Sequence, residues 1–300
     1  MTISEAADLR PREAVMLLAA LVSRRAEERG IRILVVKGLV LEQLGLRARR
    51  NYADVDVIVE PAHAEDLVEA MGDVGWRPRT HYWVFDLLEQ HSTTLMNDEW
   101  PVDLDVHRFF PGFLGEPEDV FEELWSHRQS FTLGNHSATG TDRAASAAIA
   151  GLHALRGMYT DRQKTEYSHL VDLLRADDEL GHGVVELAGR TGSLETLRPM
   201  LEECDLLRGV PVNDSDALRA WKRRIAHRSR TGQWLTYLGS LPLRQRPAEL
   251  GKIIWPPADL YVQEHPELAG SVKGLVAARV KRLAYGFKGL LTVRRSRRTL

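Results

Sequence analysis

The sequence predicts an α+β fold: a small mixed β-sheet with flanking helices, followed by a helical C-terminal domain. Three observations predict it. Between Ile31 and Glu60 an apolar strand runs up to Lys37-Gly38, a short helix follows, a basic turn ends in Arg50, and a second apolar strand opens with Asp54 and Asp56. Farther on, Asp103 and Asp105 alternate with Val102, Leu104 and Val106, the period of two that marks a strand. From Thr141 onward the strand and turn patterns give way to helical ones.

Taken in order, Pro11 suits a first helical turn and Gly30 the position just past a last one, so Arg12 to Arg29 reads as a helix. After the Asp54 strand, Pro61 opens another helix and Gly75 closes it. The aromatic and β-branched stretch Tyr82 to Phe85, then Ser92 to Met96, read as strands, and Asn97-Asp98 turns the chain into Val102 to His107. A loop from Pro111 to Pro117 leads to a helix over Glu118 to Trp125, and Arg128 to Leu133 pairs with Ser137 to Thr141 across Gly134-Asn135. Thr141 or Asp142 caps a helix to about Arg156. Further helices fit Lys164 to Ala176, Val184 to Gly192, Leu194 to Glu203 and Asp214 to Arg228. The expected division is residues 1–140 as an α/β domain, 141–272 as a helical domain, and 273–300 as a basic amphipathic helix and tail.

Composition narrows the function classes. With 300 residues, 44% of them hydrophobic and 27% charged, the chain builds real cores. The formal charge of -2 conceals an acid-free basic end, which holds Lys273, Arg279, Lys281, Arg282, Lys288, Arg294, Arg295, Arg297 and Arg298. The body is therefore acidic, which speaks against a long nucleic-acid substrate. Cys204 is the single cysteine, so no internal disulfide forms and a cytoplasmic setting is expected. The apolar run Ala14 to Val22 is too short to span a bilayer. No nucleophile elbow, Walker glycine loop or dinucleotide-binding glycine motif occurs, which removes hydrolase, P-loop and Rossmann readings as leading candidates.

The carboxylates carry the chemistry. Asp54 and Asp56 share one strand face and repel unless one is protonated or a cation joins them, and a divalent metal resolves that cost. A third carboxylate from the Asp103-Asp105 strand would complete an oxygen-rich site of the kind Mg²⁺ takes. The order apolar strand, Lys37-Gly38, helix, Arg50, Asp54-x-Asp56, then Asp105-x-His107 resembles the DNA polymerase β-type nucleotidyltransferase superfamily. Within it, the sequence is similar to the uncharacterised bacterial nucleotidyltransferase family, over most of its length from about Ala14.

That resemblance implies that Asp54, Asp56 and Asp105 bind Mg²⁺ or Mn²⁺ and are the catalytic carboxylates. It implies that Lys37, Gly38 and Arg50 hold a nucleoside triphosphate, and that two metals assist in-line attack by an acceptor hydroxyl on the α-phosphate, releasing pyrophosphate. The wider superfamily usually has Gly-Ser where this chain has Lys37-Gly38, which exchanges a hydroxyl for a cation. Asp103 rivals Asp105 as third carboxylate, but Asp105 stands two before His107, as the family pattern requires.

Other assignments stay open on the residues alone. Arg50, in a run with Arg47 and Arg49, fits a triphosphate contact, an ion pair with Asp54 or Asp56, or a solvated turn. Lys37 fits a phosphate contact or a solvated strand end. His107 fits orientation of Asp105, a metal, or the core; His91 fits the same cleft; His153 and His169 read as structural. Val276, Val280, Leu283, Ala284, Phe287, Leu290 and Leu291 recur at helical spacing in the basic end. Residues 274–300 therefore either pack on the helical domain or dock peripherally on an anionic membrane surface or acidic partner. The expected function is nucleotidyl transfer to a small-molecule, peptide or protein acceptor. The alternative is a non-catalytic nucleotide-binding or docking module.

Overall fold

The computed structural model describes residues 9–79, 91–157, 160–226, 238–239, 241–255 and 270–281, with single positions between 258 and 283. The described residues of 9–79 and 91–221 form one compact unit, and those after Trp221 belong to a second. In the first unit, α1 (Pro11–Arg29) starts on its proline and ends at Gly30, whose φ of 67° lets its N–H bond back to the Ala26 and Glu27 carbonyls.

Among the described residues, seven strands form one mixed sheet: β1 (Ile33–Val36), β2 (Asp54–Val59), β3 (Arg77–Pro78), β4 (Ser92–Met96), β5 (Asp103–His107), β6 (Arg128–Leu133) and β7 (His136–Thr141), in the order β3-β4-β5-β2-β1-β7-β6. β2 runs parallel to β5, and β1 parallel to β7, while β1 and β2 are antiparallel. The β6–β7 hairpin turns at Gly134 and Asn135, both with positive φ, as a two-residue hairpin loop of matching twist demands.

Strand alternation sorts the side chains between two cores. Ile33, Val35, Val55, Val57, Val59, Leu104 and Val106 join α1 and α3 (Ala64–Gly72) on one face. Leu34, Val36 and Ile58 join the other, built with α4 (Pro117–Ser126), α5 (Arg143–Arg156), α6 (Asp161–Ala176), α7 (Asp178–Arg190) and α8 (Leu194–Glu203). By the same period of two, Asp54, Asp56, Asp103, Asp105 and His107 lie on this second, helix-covered face. Its core continues from the sheet to Leu207 without a break at Gly140. Leu104 is fully buried on the opposite face, and Leu104→Ala would cost about 2–5 kcal/mol beneath the acidic strand.

Several elements differ from the sequence expectation. The stretch after Pro61 is a 3-10 turn (Pro61–His63) followed directly by α3, which ends at Gly72 rather than Gly75. α7 starts at Asp178 instead of Val184 because the Asp177 carboxylate accepts from the Leu180 N–H, while Gly181 and Gly183 weaken the helical pattern in the sequence. α6 starts at Asp161, capped by Thr160 on the Gln163 N–H. Elsewhere, α2 (Gly38–Gln43) follows β1, and α9 (Asp216–Ala226) and α10 (Arg246–Ile254) follow α8. The expected strand Tyr82 to Phe85 and the tail after residue 283 lie outside the described residues. Among the described residues, no helix is long and apolar enough to cross a membrane.

Candidate active site

Parallel pairing of β2 and β5 sets Asp54 beside Asp103, Asp56 beside Asp105, and Ile58 beside His107. Two rungs of carboxylates result, one at the strand openings and one a residue pair deeper. At the deeper rung Asp56 is 4% exposed and His107 is 3% exposed. Lys37 Nζ lies 2.5 Å from Asp56 Oδ1, and His107 Nε2 lies 2.9 Å from the same oxygen. Burial favours the neutral acid at Asp56, but Lys37 and the His107 hydrogen bond outweigh it and hold the carboxyl well below the usual carboxylate range. Asp105 accepts a hydrogen bond from Thr94 Oγ1 at 2.5 Å, because antiparallel β4 places Thr94 opposite it.

The outer rung is built differently. Both oxygens of Asp103 accept from Arg79 Nη2 at 2.6 Å. Asp54 stands exposed at the strand opening, yet its carboxyl is crowded by protein. Burial is the main cause that raises its pKa, with the charge of Asp56 adding to it and that of Lys37 opposing. The Asp54 carboxyl thus gains from any added cation, whereas Asp56 is already neutralised by the chain itself.

Metal fit follows from the donors. One atom each from Asp56, Asp105 and His107 lies within 4.8 Å of the others, a two-carboxylate, one-imidazole set that suits a divalent ion. The His107 Nδ1 is buried with no hydrogen-bond partner. His107 thus joins two of the three carboxylates the resemblance implied, and Asp54 flanks the group one rung outward. His91 stacks on His107 with ring centroids 5.9 Å apart, placing it beside the same imidazole.

The turn after β1 aims Lys37 inward. Lys37 adopts φ 57° and Gly38 φ 37°, two successive left-handed positions that a glycine tolerates and a lysine holds under strain of about 1–3 kcal/mol. The lysine is therefore not a solvated strand end: its side chain is 11% exposed and its ammonium also sits 5.7 Å from the Phe110 ring centroid. His153, on α5, feels the charges of Lys37 and Asp56; burial first, then Lys37, pushes its imidazole down to about 3, so it is neutral.

Arg50 makes neither of its nearer options. It pairs with Glu166 of α6 and lies over the Tyr52 ring at 5.2 Å, away from an ion pair with Asp54 or Asp56 and not solvated as a bare turn. Arg47 joins the same carboxylate at 2.7 Å and Arg162 at 3.1 Å. Sequence reasoning missed Glu166, Arg162 and Thr94, and named Arg47 only as a member of the basic run. The Arg47-x-x-Arg50 spacing was a visible cue for Arg47, but Glu166 sits in a uniformly polar helical stretch that carries no cue.

Among curated proteins, none matches this chain in sequence. The chain is similar in structure to an antigenic nucleotidyltransferase-like protein from Paracoccidioides brasiliensis, at 10% identity and a TM-score of 0.38 over 63% of this chain and 93% of that one. It is similar to the antibiotic-resistance factor ANT(2'')-Ia, at 12% identity and a TM-score of 0.41 over 62% of this chain and 97% of that one. It is similar also to the lincomycin-bound lincosamide antibiotic adenylyltransferase LnuA, at 14% identity and a TM-score of 0.35 over 54% and 97%. The model of a family described as uncharacterised nucleotidyltransferase matches residues 7–218, more than half of the chain, and the protein belongs to that nucleotidyltransferase family.

Proposed function

We propose that the protein transfers a nucleoside monophosphate from a nucleoside triphosphate to a hydroxyl-bearing acceptor, with Asp54, Asp56 and Asp105 as the carboxylates for Mg²⁺ or Mn²⁺. The observation that carries this reading is the in-register pairing of β2 with β5, which sets Asp56 beside Asp105 and Asp54 one rung outward. Bound there, a divalent ion supplies charge neutralisation for the triphosphate and acidity for the acceptor hydroxyl. The chain's own groups supply the rest. Lys37 and His107 keep Asp56 ionised and fixed. Asp105, oriented by Thr94, takes the acceptor's proton as its oxygen attacks the α-phosphate in line and pyrophosphate leaves. Arg47 and Arg50, in the segment that leads into β2, offer planar cationic forks to phosphate oxygens.

The acidic body outside the basic end favours a small-molecule, peptide or protein acceptor over a long nucleic acid. The test is a thermal-shift panel of the four nucleoside triphosphates with Mg²⁺ or Mn²⁺, on wild type and on an Asp54→Asn/Asp56→Asn variant. A ligand at about 100 times its Kd adds ~2.7 kcal/mol, and the variant loses that gain. Absence of any triphosphate response in the wild type would sink the reading.

A further inference from the structure

Three guanidiniums, Arg47, Arg50 and Arg162, share the single carboxylate of Glu166. Arg162 does so from an exposed position, 68% open, whereas Arg47 and Arg50 lie deeper, so among the described residues one enclosed carboxylate faces two enclosed guanidiniums. The side chains of Arg47 and Glu166 are 11% and 13% exposed. Burial, with the Arg50 charge adding to it, lowers the Arg47 pKa. Arg50 Nε is buried with no hydrogen-bond partner, so one donor of the fork is left unsatisfied by the chain. Two enclosed guanidiniums on one carboxylate, with a donor unsatisfied, leave fork positions that an incoming anion can take.

The cluster's position says which anion. Arg47 and Arg50 stand in the segment that leads directly into β2 and its carboxylates. Arg162 acts on Asp54, easing its ionisation against the effect of burial and of Asp56, while Arg47 and Lys37 both act on His153. Arg162 thus reaches the outer carboxylate through its charge, and Arg50 stands four residues before Asp54 in the chain. Glu166 itself is a poor proton acceptor: burial favours its neutral form, but the Arg50 bond and the Arg47 charge outweigh it and keep its carboxyl below the usual range.

We propose that Glu166 is a displaceable counter-ion, which holds Arg47 and Arg50 in the posture for binding a polyphosphate and yields them to it. The inference rests on the nucleotide-binding reading and adds a residue that competes with the substrate's own charge. Glu166 makes the loop and α6 cohere through one carboxylate, and triphosphate oxygens replace it with the same fork geometry. It thereby sets nucleotide affinity without touching the reacting atoms, as a positioning residue.

The experiment is calorimetric titration of inorganic tripolyphosphate, without divalent metal, into wild type, Glu166→Gln and Arg50→Gln, with ATP and Mg²⁺ titrated in parallel. Glu166→Gln is expected to bind tripolyphosphate about tenfold more tightly than wild type, with the gain shrinking as salt rises, and Arg50→Gln to bind it more weakly. A role confined to fold integrity moves affinity down or not at all, so equal or weaker tripolyphosphate binding by Glu166→Gln overturns the proposal. Should that chain not fold, Glu166→Asp, shorter by one methylene, is expected to give an intermediate gain, and no gain there overturns it equally. A wild type that answers ATP and Mg²⁺ while Glu166→Gln gains nothing removes the counter-ion and leaves nucleotide binding standing. A Glu166→Gln gain with no ATP response does the reverse, keeping a polyphosphate site and sinking the nucleotide reading.

Discussion

The inner carboxylate rung, Asp56 with Asp105, and the outer one, Asp54 with Asp103, lie on the same two strands, one residue pair apart, yet their electrostatics oppose each other. Asp56 is buried against Lys37 and His107 and is held ionised. Asp54 is exposed as a residue but crowded at its carboxyl, and burial and the neighbouring Asp56 charge raise its pKa. The difference teaches that an acidic pair read as one unit in sequence divides its labour in space. One carboxylate is part of the protein's own charge-balanced framework, and the other is left to be balanced by what binds.

The largest effect that breaks this comparison falls on turnover. Asp56→Asn and Asp105→Asn are each expected to lower nucleotidyl transfer by about a thousandfold, seen as pyrophosphate release once an acceptor is in hand. Next comes stability, where the two rungs separate in sign. Asp56→Asn strands Lys37 in a buried site and should cost ~3 kcal/mol in a metal-free denaturant titration. Asp54→Asn removes a repulsion and should stabilise the metal-free protein at neutral pH by under about 1 kcal/mol. Loss of stability in both variants would erase the distinction drawn here.

Acid titration sharpens the same contrast. The Asp56 pKa is lowered by folding, so its contribution is present above the ordinary carboxylate value of ~3.9 and is lost as pH falls through its lower folded value. The Asp54 pKa is raised, so its contribution is present below ~3.9 and is lost as pH rises through its folded value. Chemical denaturation across pH should therefore show Asp54→Asn flattening the decline that sets in as pH rises above ~3.9, and Asp56→Asn flattening the one that sets in as pH falls below it. The smallest effect belongs to the outer partner. Asp103 is held by Arg79 at a half-exposed position, and Asp103→Asn should shift stability by about 0.5 kcal/mol and turnover by only a few fold.

Much of this was legible in the chain because its periodicities are local. The alternation in Val102 to His107 was enough to place Asp103, Asp105 and His107 on one face, and Pro11 with Gly30 bracketed α1. The Gly134-Asn135 turn was readable since few residues tolerate positive φ. The start of α7 was hidden because its cap, Asp177, is an ordinary acid in a stretch weakened by glycines. Glu166 was hidden for another reason: its partners Arg47 and Arg50 are more than a hundred residues away, and nothing local marks one glutamate of a polar helix as theirs.

The sequence by itself determined which side chains share a strand face, that Lys37-Gly38 interrupts a strand, and that acidic strands recur, since each follows from backbone geometry within a few residues. Only the tertiary structure decided that β2 and β5 run parallel in a register that sets Asp56 beside Asp105. It also decided that Lys37 turns inward onto Asp56 and that His107 lies within reach of Asp56 and Asp105. Charge state at these residues depends on burial and on partners brought from distant segments, and those are properties of packing that no local pattern encodes.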